Sequence, residues 1–229
     1  MIPSPSSLTG RAYRAIKGEI LTLRLRPGEP LSLERFSREL GLSKTPVREA
    51  LLRLEREGFL HILPRMGTFV SHLDIRQIQE MYEVRGLLEG RAARMGAARV
   101  PTDVLVKVEE QLRTQRTEGE IDCKAISDAG QALHRLIVTS CGNHVLRQMI
   151  ESVQEHFTRF RALSLQIPEK VLSSHREHLE ILEALKLRDA DRAERCVCRH
   201  FEHAGRSLME TLLQATEAAR LPVTIAAGD

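Results

Sequence analysis

Lys44 and Arg48 stand four residues apart, so on a helix they share one face, with Thr45 beside them and Ser43 just ahead. The chemistry open to that face is donation to anions and to base edges. The guanidinium of Arg48 can place two parallel hydrogen bonds on a guanine edge. The hydroxyls of Ser43 and Thr45, with the free N–H groups of a helix start, suit phosphate. A basic pair at this spacing is common on ordinary solvated helices, so its meaning depends on the elements around it.

Those elements form a recognisable order. Leu33–Leu40 reads as a short helix stopped by Gly41, a residue that tolerates positive φ in the sharp turn. Ser43 then caps a helix over about 44–57, with Pro46 in the first turn, where a missing N–H is harmless. Phe36, Leu40, Val47, Leu51 and Leu54 are the apolar positions that hold the two helices together. Upstream, Ser7 or Thr9 caps a helix running to about Leu25, with Leu8, Ala12, Ile16, Ile20 and Leu23 on one stripe. Arg26-Pro27-Gly28-Glu29-Pro30 breaks the chain after it. Downstream, Phe59–Pro64 and Thr68–Ser71 read as strands joined by the turn Arg65-Met66-Gly67. Helix, helix, turn, helix, hairpin is the order of a winged helix-turn-helix.

From Asp74 on, the periodicity is helical throughout. It predicts helices over 74–99, 102–118, 120–140, 143–164, 169–188 and 190–218, with turns at Pro101, Gly119, Gly142-Asn143 and Pro168 and a capping run Asp189-Ala190-Asp191. The tail after Arg220 reads as disordered. The fold class is therefore mainly α. An N-terminal winged helix-turn-helix over 1–72, three helices plus a β-hairpin, precedes an all-α antiparallel helical bundle over 73–229.

Charge follows the same division. Residues 1–72 carry twelve Lys and Arg against seven Asp and Glu, whereas the remainder carries 22 against 24. The excess positive charge sits entirely in the segment that holds Lys44 and Arg48, as expected of a nucleic-acid reader joined to a neutral partner domain. No apolar run reaches the roughly 18 residues of a membrane span, and the first residues lack the pattern of a signal peptide. A cytoplasmic location follows, with the four cysteines reduced. Cys196 and Cys198 form C-x-C rather than a metal-finger pair, and read as small buried or partly buried thiols.

The run Leu42-Ser43-Lys44-Thr45-Pro46-Val47-Arg48-Glu49-Ala50-Leu51, followed by Leu54 and Glu57-Gly58, resembles the signature of GntR-type regulators, and the likeness extends over about residues 8–71. It implies a sequence-specific DNA-binding transcription regulator, not an enzyme, in which Ser43, Lys44, Thr45 and Arg48 contact DNA. Arg65 and Gly67 belong to the wing, with Gly67 toward the minor groove. Glu34 departs from the pattern, since many members carry Arg there. Over about 74–215 the chain resembles the FCD type of effector domain, on Met81-Tyr82-Glu83-Val84-Arg85, Leu88-Glu89, His134-Arg135-Leu136, Cys141-Gly142-Asn143, Glu177-His178-Leu179 and Arg199-His200-Phe201. The resemblance implies a homodimer, a palindromic operator, and repression relieved or enforced by a small-molecule effector, an organic acid.

The same resemblance implies that His134, His178 and His200 hold a divalent metal such as Zn or Ni, and that Arg85 points into the effector cavity. Here Arg85 also stands four residues before Glu89, a spacing that equally fits a salt bridge. The 22 residues between His178 and His200 fit adjacent antiparallel helices. The family's Asp ligand would stand four residues before His134, where this chain has Gly130; Asp128 lies on another helix face, and Gln131 offers only a weak carbonyl. Two arrangements remain: a three-histidine metal site with open positions for water or an effector carboxylate, or a metal-free cavity whose histidines bond the effector directly. His175 and His203 read as surface residues. A catalytic metal would need a paired general base, which the sequence does not supply; a structural nucleoid protein that binds DNA without an effector is a third reading, separated from the regulator by a sequence-specific footprint.

Overall fold

The computed structural model describes residues 7–115, 119–165, 167–217 and 223–224. In chain order the elements are α1 (Leu8–Leu21), β1 (Pro30–Leu31), α2 (Leu33–Leu40), α3 (Lys44–Arg56), β2 (Leu60–Leu63), β3 (Gly67–Val70), β4 (Leu73–Asp74), α4 (Ile75–Gly96), α5 (Thr102–Arg113), α6 (Cys123–Ser140), α7 (His144–Ser164), α8 (Pro168–Lys186), α9 (Ala190–Glu217) and β5 (Val223–Thr224). The described residues up to Asp74, with those from Ala215 on, form one compact unit, and Ile75–Gln214 form another.

In the first unit, α1, α2 and α3 enclose a core of Ala12, Ile16, Ile20, Phe36, Val47 and Leu54, closed below by Phe59, Leu60 and Val70. Ser7 caps α1 by accepting from Gly10 N–H, but the helix stops at Leu21 rather than near Leu25. Leu23 turns left-handed with φ 59°, which releases Leu25 into the core at 1% exposure. Gly41 ends α2 at φ 64°, so the turn into α3 uses a conformation with little penalty for glycine. The sheet gains a third strand that the sequence did not suggest. β1 pairs antiparallel with β3 (Pro30 opposite Phe69), giving the order β1-β3-β2. A charged network fastens α1 to α3: Lys17, 4% exposed, donates to Glu57 at 2.8 Å and to the Tyr13 hydroxyl, which itself donates to Glu57.

In the second unit α6 packs against α4, α5, α7 and α8. Its start is capped by Asp122, which accepts from Ala125 N–H, and α7 is capped likewise by Asn143. α4 ends at Gly96 and α5 at Arg113, earlier than expected; residues 116–118 of the predicted α5 lie outside the described residues. α8 ends beside Arg188, whose left-handed backbone (φ 55°) leads to Asp189, the N-terminal cap of α9. The predicted disordered tail falls outside the described residues except for Val223-Thr224, which pair in parallel with Leu73-Asp74.

Candidate functional site

Ser43, Lys44, Thr45 and Arg48 are all exposed, while Pro46, Val47 and Ala50 are buried, so α3 turns one face inward and offers the other to solvent. Ser43 occupies the N-cap position, yet its side chain makes no capping bond. Its hydroxyl is therefore spare, and the first N–H groups of α3 remain open to an anion. Lys44 donates to Glu34 at 2.8 Å. Arg35, the neighbour of Glu34, is directed to Glu19 (3.0 Å) and Glu39 (2.9 Å). At the hairpin tip Arg65 takes φ 64° and Gly67 φ 124°, with Met66 72% exposed between them.

The second unit holds the buried chemistry. His134 on α6, His178 on α8 and His200 on α9 are 3%, 6% and 4% exposed, and one ring nitrogen of each lies within 4.8 Å of the others. Two of the three are oriented by carboxylates. His134 Nδ1–H donates to Glu89 at 2.7 Å, and His200 Nδ1–H donates to Glu177 at 2.8 Å. That fixes the tautomer of each ring and puts its lone pair on Nε2. His178 Nε2 lies 3.1 Å from His134 Nε2, and its own Nδ1 is buried without a partner.

Gly130 explains how His178 reaches this place. A Cβ on residue 130 would stand 2.3 Å from His178 Cε1 and 2.6 Å from Nδ1. The imidazole occupies the space that any side chain there would fill. Asp128, as expected, is engaged away from the cluster, accepting from Lys124 and Arg161. Gln131 lines the same cavity but spends its carbonyl on Gln154.

Arg85 and Glu89 form the salt bridge that their spacing allowed, Nε to Oε1 at 2.6 Å, with side chains 3% and 0% exposed. The guanidinium lies over the rings of Phe157 (4.2 Å) and Phe201 (4.8 Å), and its Nη2 has no hydrogen-bond partner. Burial drives the Glu89 pKa up, but Arg85 and then His134 outweigh it and bring it to about 2, so Glu89 is ionised. Burial lowers the pKa of His134 against the pull of Glu89. It lowers that of His178 much further, helped by the neighbouring imidazoles. His134 and His178 are thus held toward the neutral imidazole, the form that binds metal.

Arg85 and the three histidines line a cavity of about 130 Å³ together with Tyr82, Phe157, Lys170 and Phe201. The donor set fits a divalent ion: three convergent imidazoles, carboxylates on the far nitrogens of two, and a buried orphan nitrogen on the third. His203 is 47% exposed and shares Glu177 with His200. His175, expected at the surface, is instead 3% exposed. It sits one turn before His178 on the same face of α8, so burying one buries both. Sequence reasoning missed Glu89 and Glu177 as partners of the histidines. Glu177 adjoins His178 in the chain yet serves His200, a pairing that only the packing of α8 on α9 creates.

Comparison with known proteins supplies the context. Residues 8–70 match the family described as bacterial regulatory proteins, gntR family, and residues 80–203 match the FCD domain. The chain is 28% identical over 204 residues to the HTH-type transcriptional repressor RspR of Escherichia coli K12, covering 86% of this chain and 87% of that protein. It is 25% identical over 209 residues to the HTH-type transcriptional repressor GlaR of the same strain, covering 85% and 92%. Among solved structures, E. coli McbR/YncC shares the fold with a TM-score of 0.71 at 24% identity, covering 93% of this chain and all of that one (100%).

Proposed function

This chain belongs to the GntR family of bacterial regulatory proteins and carries an FCD domain, and on that premise we propose that it is a homodimeric repressor released from, or locked onto, a palindromic operator by a small carboxylate. It is a DNA-binding transcriptional regulator, not an enzyme. The DNA-reading domain spans 1–72 and the effector domain 73–229. Ser43, Lys44, Thr45 and Arg48 enter the major groove, with Arg48 on a base edge and the hydroxyls on phosphate. Arg65 and Gly67 carry the wing to the minor groove. The repressor sign is taken from RspR and GlaR, which bear that name.

His134, His178 and His200 would hold a Zn or Ni type ion, oriented by Glu89 and Glu177. Bound there, such an ion supplies a Lewis acid for an effector oxyanion. Gly130 contributes no carboxylate, so the three protein ligands are neutral and an anionic effector suits the remaining positions. Arg85, with Nη2 unpartnered beside the cavity, has a donor to spare for the same anion. The effector acts by binding one state of the protein better than the other and so shifting its population. The observation that carries this reading is the enclosed cluster of three imidazoles, each within 4.8 Å of the others, at the wall of a cavity in the domain that does not read DNA.

The test has two parts. Selection of sheared genomic DNA should enrich a short palindrome with the wild-type protein and not with Arg48→Ala; enrichment of nothing, or equal enrichment by both, would refute the operator reading. Elemental analysis of tag-free protein should find near one metal per chain, lost on His178→Ala; less than about a tenth of an equivalent would remove the metal from the proposal.

A further inference from the structure

Lys170 is left over once the histidine wall has been explained. It stands in the first turn of α8, lines the cavity, and donates to the Ser207 carbonyl and the Thr211 hydroxyl of α9. Both partners are neutral. Among the described residues no carboxylate makes an ion pair with it. The other cation on this side, Arg161, is already paired with Asp128 at 3.1 Å. Burial lowers the Lys170 pKa, opposed by the field of Glu210, so the ammonium is already partly stripped of water. A half-buried cation held by neutral partners, with Glu210 acting only through its field and not as an ion pair, favours an incoming anion. Serines lining the same cavity fit the same purpose. Ser127, Ser173, Ser174 and Ser207 line the cavity, and their hydroxyls make no hydrogen bond among the described residues. The lining also includes the Glu177 carboxylate, held by His200 and His203, and the apolar Ile126, Phe157, Val171 and Phe201, which offer nothing to an anion.

We propose that Lys170 and its serines form a second anion subsite, so that the cavity takes a short two-headed acid, one acidic group at the histidine wall and the other at Lys170. Size limits the candidate. A cavity of about 150 Å³ holds benzene, so the 130 Å³ here suits a small ligand of about benzene's size. The second head is a carboxylate or a phosphate on a chain of two to four carbons, and the two are told apart by the test. The proposal rests on the reading of this cavity as the effector site.

The experiment is calorimetric titration of the full-length protein as purified, its metal content measured, with propionate (one head), succinate (two carboxylates) and phosphoglycolate (carboxylate and phosphate). Succinate or phosphoglycolate should bind at least tenfold more tightly than propionate, and which of them does so identifies the second head. Lys170→Gln should erase that preference while keeping a donor for the Ser207 carbonyl and the melting temperature of the wild type; Lys170→Arg should keep the preference. Equal binding of all three acids by the wild type, or a preference that survives Lys170→Gln, overturns the two-headed ligand and leaves the effector site standing. Failure of every acid to bind overturns the effector site and this inference with it.

Discussion

Glu34 places a carboxylate 2.8 Å from the Lys44 ammonium, on the surface that also carries Arg48. The hydrogen bond from Lys44 holds its pKa below the usual carboxylate range, with the field of Arg48 adding to the effect. A phosphate approaching Lys44 must compete with that carboxylate, so Glu34 should weaken indiscriminate binding. Glu34→Gln is expected to raise affinity for random duplex several-fold at low salt and to steepen the salt dependence by about one counterion per subunit; unchanged slopes in fluorescence titrations would contradict this. Arg48→Ala should act on the other term. A bidentate base contact is worth about 1–3 kcal/mol, so the selected site should lose roughly 5- to 150-fold per half-site, with random DNA little affected. Because Arg48 is exposed, the melting temperature should hold.

Among the elements, α6 and α8 meet where residue 130 has no side chain. Alanine is the better helix former by about 1 kcal/mol, so helix propensity alone favours Gly130→Ala. The Cβ would nevertheless enter the His178 ring. Gly130→Ala is expected to keep the helical circular dichroism and lose most of the bound metal, measured by zinc titration with a chromophoric chelator; wild-type affinity would show that His178 can move aside at no cost. This contact also shows where sequence stops informing. The glycine turn at Gly41, the inward stripe of α3 and the caps at Ser7 and Asp189 are local, and local patterns announce them. The strand at Pro30-Leu31 is two residues long and exists only through its partner Phe69, so no periodicity could reveal it. The three histidines were legible through their resemblance to a family. Glu89, 45 residues from His134, was not, since its alternation with Arg85 looks the same whether the pair faces solvent or core.

For the molecule as a whole, the buried charges set a direction for acid sensitivity. His134 and His178 hold pKa values below 6.5, and Glu89 stands at about 2 rather than 4.5. In each case the unfolded chain binds protons first, so stability falls as the pH is lowered. The imidazole contribution is complete above about pH 6.5 and erodes as acid pulls the unfolded side toward the charged form; the Glu89 contribution is complete above about pH 4.5 and is lost toward pH 2. Metal-free protein should therefore melt progressively lower from about pH 7 to pH 5, and His178→Gln should flatten that decline. A melting temperature constant across the range would show the imidazoles to be less isolated than their burial indicates. No described helix is long and apolar enough to cross a membrane.

The aromatic packing beside the cavity has a practical consequence. Tyr82 stacks against Phe160 at 6.0 Å and meets Phe157 edge-on at 4.8 Å, and burial pushes its hydroxyl pKa up to about 12. The chain has no tryptophan and two tyrosines, Tyr13 in the DNA-reading unit and Tyr82 at the cavity. Its ultraviolet emission comes from one fluorophore in each unit, with no indole to mask either. Tyr13→Phe would leave a protein whose only intrinsic light source borders the ligand, so that occupancy could be followed in real time without a dye.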